Sequence, residues 1–296
     1  MSQQWEPERE IGIDEAAELI RAKCPDVEFD QARIFASGWD NTVVVLDQDW
    51  IFRFPRRSIA LPGVRREIDW LEWISERIDL PVPIPAHVGD YDGWPFWGGR
   101  LLLGEELAHC PHVDRVPIAE SVGRFLAQLH AIEPRGELPV DPFARGDSAS
   151  RSGKARDVLD DLIGLELWES DPDIEAILAE GSQLGPPLGK PVFSHGDLYS
   201  RHVLVGPEAD AVCGIIDWGD LCMAVPAVDL AIAYSAFSGE ARESLLDAYG
   251  SIDPETEIRS RTFAIFSAAS VAHYAHDVGD EILLDEAIAG LQGAGS

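Results

Sequence analysis

Residues 191–206 read PVFSHGDLYSRHVLVG, and residues 211–220 read AVCGIIDWGD. The first run opens on a short β-branched and aromatic segment that delivers His195-Gly196-Asp197. His202 stands five residues after Asp197, just ahead of a second short strand, VLVG. A third, AVCGII, delivers Asp217 fifteen residues after His202. Strand ends with turn residues between them are expected to bring Asp197, His202 and Asp217 near one another. Carboxylates at adjacent strand ends repel unless a positive charge lies between them. The usual answer is a divalent cation, most often Mg²⁺ with oxygen ligands and substrate phosphates. A carboxylate left off the metal can orient and deprotonate an attacking hydroxyl. The plain alternative, aspartates that merely favour turns, accounts for either residue alone better than for both at this spacing.

Residues 12–23 read as an acidic-start helix, and 29–36, 42–47 and 50–54 as strands. From 64 to 78 the apolar residues Val64, Ile68, Leu71, Ile74 and Ile78 recur every three or four, the pattern of an amphipathic helix. Strands are expected at 86–90 and 96–103 around a YDGWP turn. The first hundred residues therefore predict a small antiparallel sheet carrying one helix. After a connector at 104–106, a helix over 117–132 carries Val122, Phe125, Leu126, Leu129 and Ile132 on one face. Residues 133–154, rich in Pro, Gly, Ser and charge, read as a loop, and 155–180 as helical. The C-terminus is helical, with 263–274 apolar almost all round and so expected to be buried.

The chain has 296 residues, 46% of them hydrophobic, enough for a real core and for one large domain or two modest ones. Fifty-three acidic residues against 23 basic ones give a formal net charge of −30. That balance argues against nucleic acid and anionic membrane surfaces, which need a basic face. It suits a small cationic partner, or simply solubility. No stretch reaches the roughly 18 consecutive apolar residues of a membrane-spanning helix. The polar N-terminus MSQQWEPEREIGIDE lacks the pattern of a signal peptide, so a cytoplasmic location is expected. Cys24, Cys110, Cys213 and Cys222 form no CxxC pair and read as small, buried or half-buried residues. Only Lys23, Lys154 and Lys190 are lysines.

HGDLYSRHVLV followed by GIIDWGD resembles the catalytic and metal-binding segments of the aminoglycoside phosphotransferase family, which includes the macrolide phosphotransferases and shares the protein-kinase-like fold. SGWDNTVVVLDQDWIFRFPRR resembles the family's first strands with their nucleotide-positioning loop. RREIDWLEWI resembles the helix that follows, GRLLLGEEL the interlobe hinge and VGRFLAQLHAI the helix after it. The resemblance covers most of residues 30–240. It implies a bilobal α+β fold, with a nucleotide-binding lobe at 1–103 and a mainly helical catalytic and substrate-binding lobe at 104–296.

Carried over position by position, the resemblance makes Asp197 the catalytic base and Asp217 a Mg²⁺ ligand. His202 falls where most kinase-like enzymes place a metal-binding Asn, a departure that the macrolide phosphotransferases share. Imidazole is a poorer Mg²⁺ donor than oxygen, and the bland alternative for His202 is a loop histidine bonded to backbone. Arg53 falls where the phosphate-binding lysine would be, with Glu67 as its ion-pair partner, although Arg56 and Arg57 lie just beyond. Arginine can hold phosphates bidentately and stays charged. Ser37 would touch the phosphates, and Arg100 and Leu102 would lie at the hinge against the nucleotide. Asp229 would brace the catalytic loop, although Ala224-Val225 replaces the family's usual Gly-Asp.

The implied reaction moves the γ-phosphoryl of ATP or GTP to a hydroxyl of an aminoglycoside- or macrolide-type antibiotic. Two further readings stay open. One is a kinase of an endogenous metabolite such as choline, a sugar or homoserine. The other is a non-catalytic nucleotide-binding regulator, motivated by the missing lysine and by His202. His109 with His112, and His273 with His276, are read as structural. His130 is expected to meet the dipole at its helix C-terminus, and Trp218 to line the cleft.

Overall fold

The computed structural model describes residues 7–37, 40–206 and 211–296, the side chain of Ser37 excepted. Two compact units make up the chain: Met1–Leu103 with Ile216–Gly219, and Gly104–Ile215 with Asp220–Ser296.

The first unit contains α1 (Ile13–Lys23), β1 (Ala32–Ser37), β2 (Asn41–Leu46), β3 (Trp50–Pro55), α2 (Leu61–Ser75), β4 (His87–Tyr91) and β5 (Trp94–Arg100). Its strands form one antiparallel sheet in the order β1-β2-β3-β5-β4. Asp92 and Gly93 join β4 to β5 with φ of 50° and 83°, the two-residue hairpin that Asp-Gly favours. Side chains alternate across the sheet as its period of two demands. Val44, Leu46, Phe52, Phe54 and Phe96 share one buried core with Ala16 and Ile20 of α1. Arg53 and Trp97, paired across β3 and β5, point the other way. The expected strand at 29–36 begins three residues late, and that at 96–103 runs from Trp94 to Arg100.

The second unit begins with β6 (Glu105–Glu106), α3 (Arg115–His130), α4 (Ser148–Gly164), α5 (Pro172–Gln183), β7 (Val192–Ser194), β8 (Val203–Val205), β9 (Val212–Ile215) and β10 (Cys222–Ala224). It ends with α6 (Ala227–Leu230), α7 (Ile232–Ser235), α8 (Gly239–Tyr249), α9 (Pro254–Val278) and α10 (Glu281–Gly295). Its strands make two small sheets, β10-β7 and β6-β8-β9. Glu105 and Glu106, expected to be a connector, pair with β8. The loop expected over 133–154 ends early, because Asp147 accepts the N–H of Ser150 at 3.1 Å and starts α4. Polar composition hid this: Ser148, Arg151 and Ser152 are buried despite it. The helical stretch expected over 155–180 is two helices, the second capped by Asp171 with Pro172 in its first turn. Along α9, Phe263, Ala264, Ile265, Ala268, Ala269 and Ala272 are buried, as its apolar run predicts.

Candidate active site

In the first unit the β-ladder holds Arg53 between Val43 and Trp97. Arg53 Nη1 donates to Glu67 Oε1 at 2.7 Å, and Trp97 Nε1 donates to Glu67 Oε2 at 3.0 Å. Both oxygens of this carboxylate, only 1% exposed, are thus satisfied, which burial of a charge requires. Arg53 Nη2 donates to Asp217 Oδ1 at 2.8 Å. Burial works against a charged guanidinium, but Glu67 and Asp217 outweigh it and raise the pKa of Arg53 above its usual value. A planar fork serves two carboxylates at once, which a single ammonium does less well. Of the neighbouring arginines, Arg56 lies 3.5 Å from Glu10, and Arg57 Nε donates to Asp40 at 2.8 Å. Arg53 is therefore the one whose partner is Glu67.

Asp217 has φ of 64°, in the left-handed region that a non-glycine residue enters at a cost. Its side chain is 47% exposed. Trp218 is fully buried rather than lining a surface. Ser37 ends β1 opposite Thr42, while Gly38 and Trp39 of the same loop lie outside the described residues. Arg100 ends β5 with its guanidinium 4.1 Å from the Trp50 ring, and Leu102 follows, half-buried.

In the second unit Asp229, fully buried on α6, accepts the N–H groups of His195 at 2.8 Å and Gly196 at 2.9 Å. Its Oδ2 also lies 3.2 Å from His130 Nε2, and His130 Nδ1 lies 2.9 Å from the Tyr249 hydroxyl. Burial pushes the Asp229 pKa up, but the bonds from His130 and Gly196 and the His130 and His195 charges outweigh it and hold the carboxyl below the ordinary range. The brace stands without the Gly-Asp that Ala224-Val225 replaces. His130 correspondingly serves Asp229 and Tyr249, not a bare helix dipole. Gly196 has φ of 89°, and a Cβ there would lie 2.3 Å from the Asp220 carbonyl oxygen, so only glycine fits before Asp197.

Asp197 Oδ1 lies 3.1 Å from Arg145 Nη2, which also donates to Asp220 Oδ2 at 2.7 Å. His202 Nδ1 lies 2.7 Å from the Asp197 carbonyl oxygen. A carbonyl only accepts, so Nδ1 carries a proton and donates to it. The backbone-bonded reading of His202 holds for this nitrogen. His202 immediately precedes Val203, which pairs with Ile215 in the β8–β9 ladder. The carboxylates expected to share a cation each carry a guanidinium: Arg145 for Asp197 and Arg53 for Asp217.

Among the described residues, no group of three or more His, Cys, Asp or Glu side chains could hold a metal ion. Mg²⁺ that arrives on nucleotide phosphates needs only one or two protein ligands. Of the two side chains expected to hold the ion, the Asp217 carboxylate suits Mg²⁺ by donor type better than the His202 imidazole does. Sequence reading missed Arg145, which sat in a segment read only as a loop, and the role of His130, whose partner lies 99 residues away. No local signal marks either one. His109 lies 3.0 Å from Asp280 and 3.4 Å from Glu106, and His273 lies 3.5 Å from Asp277, in keeping with structural roles.

The family described as "Phosphotransferase enzyme family" matches residues 31–259. The aminoglycoside 3'-phosphotransferases of Streptomyces ribosidificus and Streptomyces fradiae are 29% and 30% identical over 174 and 177 residues, 56% of this chain in each case. The matched stretches span 63% and 62% of those two proteins, less than two thirds of their length. An uncharacterized protein of Bacillus subtilis, YcbJ, is 24% identical over 80% of both chains. The GDP complex of aminoglycoside 2'-phosphotransferase-IIIa superposes with a TM-score of 0.70 at 20% identity, covering 95% of this chain and 97% of that one. Macrolide 2'-phosphotransferase MphH from Brachybacterium faecium does so with a TM-score of 0.58 at 24% identity, covering 93% and 97%. The α+β fold, an antiparallel sheet followed by a helical part, is the fold of those structures. With the family match spanning most of its length, this chain belongs to the phosphotransferase enzyme family.

Proposed function

We propose that the chain transfers the γ-phosphoryl of ATP or GTP to a hydroxyl of an aminoglycoside- or macrolide-type antibiotic. The observation that carries the reading is the Arg53 guanidinium, fixed by buried Glu67 with its second arm on half-exposed Asp217. Such a cation is preorganised for a polyphosphate and costs little to reorganise when one binds. In this reading Arg53, oriented by Glu67, holds the nucleotide phosphates, and Ser37 lies against them. Arg100 and Leu102 meet the rest of the nucleotide. Asp217 and His202 would hold Mg²⁺, which would supply charge neutralisation at the phosphates. Asp197 takes the proton of the attacking hydroxyl and aligns it. Two relatives named aminoglycoside 3'-phosphotransferases support the acceptor class, and His202 keeps macrolides beside it. A net charge of −30 favours capture of cationic acceptors.

The test is a transfer assay with kanamycin and erythromycin as acceptors, ATP and GTP as donors, and choline and homoserine alongside. Phosphorylation of an antibiotic is expected, with Asp197→Ala at least about 100-fold slower and folded like the parent. Transfer to choline or homoserine alone would move the acceptor to endogenous metabolism. An Asp197→Ala variant with full turnover would remove the base.

A further inference from the structure

We propose that Arg145 is a positioning residue that fixes the Asp197 carboxylate for proton transfer; the proposal rests on the reading of Asp197 as the base. One nitrogen, Nη2, reaches Asp197 Oδ1 at 3.1 Å and Asp220 Oδ2 at 2.7 Å. Asp220 anchors the guanidinium, and the guanidinium in turn holds one oxygen of Asp197. In this arrangement the other oxygen, Oδ2, would be the one to meet the acceptor hydroxyl. The Arg145 side chain is only 16% exposed, so its charge acts in a poorly screened setting.

The loop carrying Arg145 is built to present it. Asp141 accepts the N–H groups of Arg145 at 2.8 Å and Gly146 at 2.7 Å. The loop is tied to β10 on both sides of Val140: Asp141 N–H donates to Met223 O, and Met223 N–H to Pro139 O, each at 2.9 Å. Arg151 donates through Nε to Ala144 O at 3.2 Å, and Arg259 through Nη1 to Gly146 O at 3.1 Å. A Cβ on Gly146 would lie 2.8 Å from a Val225 methyl, so a larger residue there would force a shift of its surroundings. Asp141 and Ala144 have φ of 32° and 50°, conformations that non-glycine residues hold only when their surroundings impose them. Strain just ahead of one arginine, in a loop bolted down at several points, points to a side chain whose placement matters. The Phe143 ring, 4.8 Å from the Arg145 guanidinium carbon, limits it further.

A residue that acts only through Asp197 has a kinetic signature that a substrate contact lacks. Arg145→Ala, Asp197→Ala and the double variant are compared in the full chain with kanamycin and erythromycin as probes. Arg145→Ala is expected to lower kcat about 10- to 100-fold, the worth of a charge-assisted hydrogen bond, with both KM values within about twofold. In the Asp197→Ala background it is expected to cost nothing further. Arg145→Lys should recover only part of the loss, since its ammonium keeps the charge but ends a shorter side chain and must reach both carboxylates from a different position. Asp220→Asn, which loosens the anchor while keeping Arg145, should give a smaller fall in kcat and serves if Arg145→Ala does not fold. Unchanged kcat, a loss confined to KM, or additive losses in the double variant would each overturn the proposal. A crystal structure of Arg145→Ala, or of Asp220→Asn in its place, decides it independently of turnover. The Asp197 carboxylate should leave its position while the loop backbone stays, and an unmoved carboxylate refutes positioning. If the parent chain phosphorylates neither probe, the functional reading above fails, and the crystallographic comparison still decides this one.

Discussion

Asp229→Asn tests the brace beneath the His195–Asp197 turn. The carboxylate accepts the His195 and Gly196 N–H groups on separate oxygens, with His130 sharing the oxygen that serves His195. Asparagine keeps the volume but has one acceptor and one donor end. Its best orientation keeps the oxygen towards His195 and His130 and turns an amide N–H₂ towards the Gly196 N–H, donor against donor. Asp229 is fully buried, so no water rescues that N–H. An unsatisfied buried donor costs about 1–3 kcal/mol, and the two remaining bonds lose their charge assistance, for a total of about 2–4 kcal/mol. At roughly 2–3 °C per kcal/mol for a chain of this size, the unit holding Asp229 should melt about 4–12 °C lower. The assay is a calorimetric melt, with Asp247→Asn on the exposed face of α8 as control. The folded-state pKa of Asp229 is depressed, so its contribution is present above the unfolded carboxyl value of roughly 4 and lost as pH falls through the lower folded value. The gap between parent and variant should therefore be full at neutral pH and close below about pH 4. A melt within about 1 °C of the parent at pH 7 would refute the brace.

Glu67→Ala leaves the buried Arg53 with Asp217 alone, and a stability loss of about 3 kcal/mol is expected in denaturant unfolding. The isosteric Glu67→Gln should lose less stability and raise the nucleotide KM several-fold, because Arg53 is oriented by a weaker, neutral acceptor; an unaltered KM would detach Arg53 from the nucleotide. Gly196→Ala drives a Cβ to 2.3 Å from the Asp220 carbonyl at a φ of 89°, so loss of phosphoryl transfer together with a lower melting temperature is expected, and a fully active variant would contradict the geometry.

Periodicity and local chemistry made the elements legible. The alternation of Ile51-Phe52-Arg53-Phe54 sent two phenylalanines to one core and turned Arg53 towards α2, because a strand has a period of two whatever surrounds it. The three-to-four spacing from Val64 to Ile74 marked the helix that carries Glu67, and Asp92-Gly93 marked the β4–β5 hairpin. The motifs at His195-Gly196-Asp197 and Ile216-Asp217-Trp218 pointed to the family, because a turn at a strand end restricts which residues fit. What a window of sequence does not encode is which distant charge answers a buried one. The pairing of Arg53 with Glu67, 14 residues on, came from the family resemblance. The pairing of Arg145 with Asp220 spans 75 residues, and that of His130 with Asp229 spans 99. Polar residues at 148–152 read as loop, yet tertiary packing buried three of them in α4. Composition and spacing thus determined the strands, the helices and the kind of chemistry on offer. Only tertiary structure decided the partners of each carboxylate, because burial makes an unpaired charge costly and the chain satisfies it from wherever the fold brings an opposite charge close.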